Sequence, residues 1–353
     1  MVCITGSSFE DFLIISGLLL VQALYGFYTI FLNRILALGF SSLFLIFTGS
    51  FVAAIVLLPF AILFERKKWP ARITAAIIVQ FCLIALGGVT MFQGLLLLGI
   101  KRTTPAIASA MPNLIPGFVF IIAAILRFEK FSIWCKYSQV KVLGTFVCLG
   151  GAIAMSLLQK PTASNILFFL GDSADKNIYK DWLMGCFYLL AAIITASCIM
   201  VLQAATMVSF PAPFSLCVIT SFIGAILTGI LQILTEGKLN AGSANVGISF
   251  IILAVVVGSV ISSTCVVYQT WCIRKKGPVL VSIFSPIQTV CAASLSMILF
   301  GQSISPGSSI GIIIMIIGLY LVLWAKRRES LEPVEDNQNL PHAPLDIEKP
   351  LLS

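Results

Sequence analysis

Long apolar runs alternate along the chain with short polar stretches. The hydrocarbon core of a bilayer is about 30 Å thick and takes roughly 20 apolar residues as helix. Ten runs meet that length: Phe12–Leu32, Ser42–Phe64, Ile73–Leu98, Thr104–Leu126, Val142–Leu158, Trp182–Gln203, Phe214–Leu234, Val246–Trp271, Val279–Phe300 and Gly307–Trp324. The pattern therefore predicts an all-α polytopic membrane protein of ten transmembrane helices. The longest polar stretch, Gln159–Asp181, divides them into two groups of five.

The two groups repeat each other. Thr103–Ser132 reads TTPAIASAMPNLIPGFVFIIAAILRFEKFS, and an offset of 173 lays Pro105 on Pro278, Ser109 on Ser282, Pro112-Asn113 on Ser285-Pro286 and Glu129 on Gln302. In the following segments Gly144 and Gly151 stand seven apart, as do Gly311 and Gly318. Five helices per unit is an odd number, so the second unit enters the membrane upside down, as in the inverted repeats of many transporters. The expected organisation is an N-terminal stretch 1–11, a first repeat 12–159, a loop 160–181, a second repeat 182–325 and a polar tail 326–353.

Charge sets the orientation. Fifteen of the 22 Lys and Arg fall on the side that carries both termini, in clusters such as Arg66-Lys67-Lys68, Arg274-Lys275-Lys276 and Lys326-Arg327-Arg328. The positive-inside rule then places both termini in the cytosol. The residues before Phe12 have no basic group, so the first run reads as a membrane helix and not as a cleaved leader. The tail after Glu329 is acidic and aperiodic, which predicts disorder. It ends in EKPLLS, one residue short of an acidic dileucine sorting signal.

Composition narrows the function. The chain is 59% hydrophobic and 10% charged, against about 25% charged in soluble domains. Its net charge of +8 lies in short clusters between apolar runs, which excludes a nucleic-acid-binding face. The ten cysteines are scattered without a CxxC pair and read as small buried residues. All acids and bases fall outside the ten runs, and the single histidine, His342, lies in the tail. That pattern argues against a metal centre, an enzyme, a cofactor site or a pump built on a buried carboxylate. The expected partners are the lipid bilayer and a small-molecule solute; the sequence does not fix an oligomeric state.

Neutral polar groups remain inside the runs, and hydrocarbon gives them no partner. Gln22, Tyr25 and Thr29 share one helix face. Gln93 lies near Thr90 and Gly94, Asn113 lies between Pro112 and Pro116, Gln203 closes the sixth run, and Gln269 follows Tyr268. Ser285, Pro286 and Thr289 align on the ninth run, with Gln288 beside them. Pro112, Pro116 and Pro286 each remove a backbone donor. Broken backbone survives at membrane depth only where protein or a wet cavity satisfies it, and matched breaks in two repeats mark a substrate site. The expected lining residues are Gln22, Tyr25, Gln93, Asn113, Gln203, Gln269, Ser285 and Gln288. Glu129, Glu10 and Asp11 are the acids at the membrane edge that could carry protons.

Five stretches resemble a known family: FAILFERKKWP (Phe60–Pro70), AMPNLIPG (Ala110–Gly117), KVLGTFVCLGGA (Lys141–Ala152), WCIRKKGPVLVSIFSP (Trp271–Pro286) and GLYLVLWAKRRE (Gly318–Glu329). They are similar to the plant Walls-Are-Thin-related family, also called nodulin-21-like or UMAMIT transporters, of the drug/metabolite transporter superfamily. The resemblance runs from about Phe12 to Glu329. It implies two EamA repeats and export or bidirectional movement of amino acids, with auxin or other small metabolites in some members, at the plasma or vacuolar membrane. The second repeat departs from the family pattern, with Gly301-Gln302 where Gly-Glu is usual. Two other functions stay open at this point. A carrier of nucleotide or phosphorylated sugars would need Lys101 and Arg102 in its cavity, and a non-transporting scaffold or receptor would work through its tail.

Overall fold

A computed structural model of the chain describes residues 2–66, 69, 74–103, 111–126, 136–157, 176–237, 248–300 and 306–331. Glu129, Gln302, Pro105, Ser109, the central part of the long loop and the tail beyond residue 331 lie outside them. Among the described residues the regular structure is helical throughout. The helices are α1 (Val2–Ala37), α2 (Ser42–Glu65), α3 (Ala75–Ile84), α4 (Phe92–Arg102), α5 (Ile115–Ile125), α6 (Lys136–Leu157), α7 (Lys176–Ser209), α8 (Pro213–Glu236), α9 (Ile248–Lys276), α10 (Pro278–Ile283), α11 (Ser285–Phe300) and α12 (Pro306–Leu331). A π-helical turn, Ala85–Met91, joins α3 to α4 without ending the rod, and a 3₁₀ turn, Met111–Leu114, leads into α5.

Seven of these rods are long and apolar enough to span a membrane, and three shorter apolar helices lie at Met111–Ile125, Gln139–Gly151 and Ser309–Val322. Their outward faces carry exposed Leu63, Ile125, Ile298 and many other large apolar side chains. In water such a surface would aggregate; in lipid it is the expected exterior. The protein is an integral membrane protein of the all-α polytopic class.

The two halves are interleaved. The α6 helix packs along α12, α2 along α8, α1 against α11 and α9, and α7 against α5 and α4. Buried apolar clusters cross the divide: Ile14 and Leu18 of α1 meet Ala204 of α7, Cys272 of α9 and Phe284. Val119 and Ala123 of α5 meet Val201, Ile283 and Val322. The seven-spaced glycines explain the α6–α12 contact. A Cβ on Gly144 would stand 3.0 Å from the Gly318 carbonyl oxygen, and one on Gly151 would stand 2.8 Å from that of Gly311. Without side chains the two backbones close to van der Waals distance, which in hydrocarbon is a main source of helix association.

Among the described residues the backbone is irregular at both proline sites. In the first repeat the tight turn at Met111–Leu114 holds Pro112 and Asn113, and Pro116 sits in the first turn of α5, where a missing donor costs little. In the second, α10 ends at Ile283, Phe284 turns the chain, and α11 restarts at Ser285 with Pro286 in its first turn. The interruptions fall at the positions that the offset of 173 pairs.

Two charges depart from the sequence reading. Glu65 is one residue beyond its apolar run and Lys141 one residue before the next, so both read as solvated ends. The structure buries both, at 2% exposure each. The α2 helix runs on through Glu65, and the chain of α8 folds over its carboxylate. Among the described cysteines, Cys82 and Cys198 are exposed on the apolar surface, not buried.

Candidate functional site

The broken helices place polar side chains where the repeats cross. Thr289 Oγ1 on α11 donates to Asn113 Oδ1 at 3.0 Å, joining the two interruptions directly. Asn113 is buried. One turn of α11 away from its start, Gln288 Nε2 donates to Thr29 Oγ1 of α1 at 3.0 Å. Thr29 in turn donates to the Tyr25 carbonyl at 2.8 Å. The Asn113, Gln288 and Tyr25 positions are thus brought together around α1, the 3₁₀ turn and α11.

Gln22 lies one turn before Tyr25 on α1 and is 1% exposed. Its Nε2 has no hydrogen-bond partner among the described residues. A buried amide donor without a partner costs on the order of 1–3 kcal/mol. It is a group that a polar ligand would stabilise.

The other expected lining residues divide. Gln203 donates to Thr270 Oγ1 at 2.7 Å, tying α7 to α9. Thr270 is buried, and Cys217 Sγ of α8 stands 3.6 Å from its hydroxyl. This amide therefore links helices. Gln93, Gln269 and Ser285 are half-buried. Tyr268, the neighbour of Gln269, donates to the Leu13 carbonyl at 2.9 Å and locks α9 onto α1.

Sequence reasoning did not single out Thr270 or Thr228 as site residues. Thr228 of α8 meets Thr90 at 3.4 Å inside the π turn. The glycine pair Gly87-Gly88 and the polar Thr90 were visible signals of an irregular third helix; π turns of this kind recur at functional sites.

The charged groups lie at the ends of the rods. Arg102 pairs with Asp181 at 3.3 Å and lies over the Tyr188 ring, with 42% of its side chain exposed. It does not enter the crossing region. On the opposite face Lys275 pairs with Glu10 at 3.7 Å, so this acid of the expected edge set is an exposed ion-pair partner. There too, Arg274 donates to the Pro211 carbonyl at 3.0 Å. Beside it a cavity of about 440 Å³ opens between the ends of α7 and α9 and the start of α10, lined by Met207, Pro211, Ile273, Arg274 and Pro278 among others. It lies on the face that carries Arg66, Arg274, Lys275 and Lys276, called the basic face below, and none of the candidate lining residues borders it. Among the described residues no group of three or more His, Cys, Asp or Glu side chains converges as a metal site.

The model of the EamA-like transporter family matches residues 12–157 and again 183–324. The WAT1-related protein At5g47470 of Arabidopsis thaliana is 38% identical, covering 98% of this chain and 93% of its own length. The Protein WALLS ARE THIN 1 of the same plant is 34% identical over 89% of this chain and 83% of its own. One solved crystal structure, described only as a protein, matches with a TM-score of 0.65 at 18% identity, covering 89% of this chain and 99% of that one. That last likeness concerns the fold alone.

Proposed function

This chain belongs to the EamA-like transporter family, and on that premise we propose that it carries small neutral or zwitterionic organic solutes, amino acids first among them, across a plant plasma or vacuolar membrane. Both termini face the cytosol, as the clustered basic residues favour. The observation that supports the substrate class is the neutral polar crossing at Asn113 and Thr289, with the unpartnered Gln22 amide nearby.

A zwitterion needs no net charge in its site. The half-helices α5 and α11 start inside the bundle, and the positive ends of their dipoles suit a carboxylate. Gln22 Nε2 offers a further donor. The backbone carbonyls at the irregular turns before α5 and α11, together with the Tyr25 hydroxyl, suit an ammonium group. Gln93, Gln269 and Ser285 line the approach, and Gln203 holds the α7–α9 wall. Alternating access comes from one five-helix half rocking against the other. Transport is facilitated diffusion. Arg102, at the rim and engaged with Asp181, gives a phosphorylated substrate no cation in the crossing region.

The test is flux of labelled neutral amino acids through the full chain in proteoliposomes. Asn113→Ala and Gln22→Leu are expected to cut flux at least about tenfold, roughly the loss of one well-placed hydrogen bond to a charged group. Normal insertion with undiminished flux in both would remove them from the site.

A further inference from the structure

The α2 and α8 helices repeat each other at an offset of 171. Ser50-Phe51 falls on Ser221-Phe222, Ala54-Ile55 on Ala225-Ile226, and Glu65 on Glu236. Each helix thus ends on a glutamate. The two helices pack antiparallel, so each glutamate lies at the start of the other helix.

The two ends are not alike. On the basic face Glu65 is 2% exposed and accepts three hydrogen bonds. Phe214 N donates at 3.1 Å, Ser215 N at 2.8 Å and Ser215 Oγ at 3.0 Å. Trp69 Nε1 donates to the same Ser215 hydroxyl at 2.9 Å, and the Trp69 ring lies against buried Phe210. This end is sealed. On the far face Glu236 is exposed. It takes the Ser41 hydroxyl at 2.9 Å and Gln232 Nε2 of its own helix at 3.0 Å, with no backbone donor of α2 among the described residues.

A general difference between the faces does not explain this. The same offset of 171 lays Glu10 on Asp181, and the ion pairs that these two make, Lys275–Glu10 and Arg102–Asp181, are present on both faces. These ion pairs do not share the asymmetry of the glutamate caps.

We infer that Glu65 and Glu236 are paired latches: each carboxylate caps the start of its antiparallel partner when the membrane face beside it closes, and the two caps are made in turn. The inference rests on the alternating-access reading above. The physical reason for alternation is the cost of the buried carboxylate. An anion enters an apolar interface only when backbone donors and the positive end of a helix dipole replace its water. Closure of a face and formation of its cap are therefore one event. In the state shown, the basic face is capped. In the other state Glu65 returns to water, and Glu236 closes on the amides of Leu43 and Phe44, which the offset pairs with Phe214 and Ser215.

Hydrogen–deuterium exchange of the full chain in lipid nanodiscs reads both helix starts at once. Glu65→Gln is expected to raise exchange at Phe214 and Ser215 by about tenfold or more and to slow it at Leu43 and Phe44. Glu236→Gln alters an exposed side chain and folds normally; it is expected to slow exchange at Phe214 and Ser215 and to reduce turnover. Faster exchange at Phe214 and Ser215 with no change at Leu43 and Phe44 would make Glu65 a static cap and overturn the inference. So would Glu236→Gln with unaltered exchange and turnover. Reciprocal exchange in a protein that moves no neutral amino acid would keep the latches and overturn the substrate reading instead.

Discussion

Two antiparallel helix pairs join the halves of this protein, and they do so by opposite means. The α6–α12 pair is closed by glycines. Its contacts are reciprocal: a Cβ on Gly144 would press on the Gly318 carbonyl, and a Cβ on Gly318 would press on that of Gly144. The α2–α8 pair is closed at one end by a buried carboxylate and stands open at the other. Backbone packing leaves nothing to exchange between two states, whereas a charged cap has water as an alternative partner. The glycine pair is suited to be the fixed axis of the molecule, and the glutamate pair is suited to be the part that moves.

Substitutions can break this contrast or sharpen it. The largest effect is expected for Gly318→Val, whose Cβ would collide with the backbone of Cys148. Overpacking of this kind costs about 3 kcal/mol or more. Thermal unfolding in detergent should show a much lower midpoint or no folded protein at all; a native-like midpoint would mean that the pair is loosely packed. Glu65→Gln removes a charge that holds three donors and is expected to cost about 2 kcal/mol. The same unfolding assay checks it, and an unchanged midpoint would show that the buried cap stabilises nothing. Ser215→Ala deletes one donor to Glu65 and the acceptor of Trp69, for about 1 kcal/mol. It should also increase the solvent exposure of Trp69, seen as a red shift of its emission in a variant that keeps Trp69 as its sole tryptophan. Glu236→Gln, on an exposed end, should move stability by less than about 0.5 kcal/mol. Equal losses in Glu65→Gln and Glu236→Gln would abolish the contrast between the two ends.

The sequence made the architecture legible where the chemistry is local. Prolines disturb a helix wherever they stand, so Pro112-Asn113 and Ser285-Pro286 marked the two interruptions in advance, and the glycine spacings marked the α6–α12 seam. Glu65 was not legible in the same way. It follows an apolar run and precedes Arg66, Lys67 and Lys68, so its neighbours in sequence suggest water. Its burial comes from α8, about 150 positions away in the chain. The signal that could have found it is the second offset, 171, which ends both α2 and α8 on glutamate. Gln203 shows the same limit: a lone amide on a helix looks like a ligand group until its partner, Thr270 on α9, is known. Asn113 and Gln288 drew notice because they lie at or beside the prolines of the two repeats, but their hydrogen-bond partners Thr289 and Thr29 depend on the packing.

Neutral polar chemistry at the crossing of the two repeats is the centre of this account, and flux across a sealed membrane tests it most directly. Efflux of a labelled neutral amino-acid mixture from proteoliposomes holding the full chain, with and without a pH gradient, is the measurement. The expected result is efflux above that of empty vesicles, indifferent to the gradient and lost in Asn113→Ala. Efflux that requires the gradient, or none at all from vesicles holding folded protein, would contradict it.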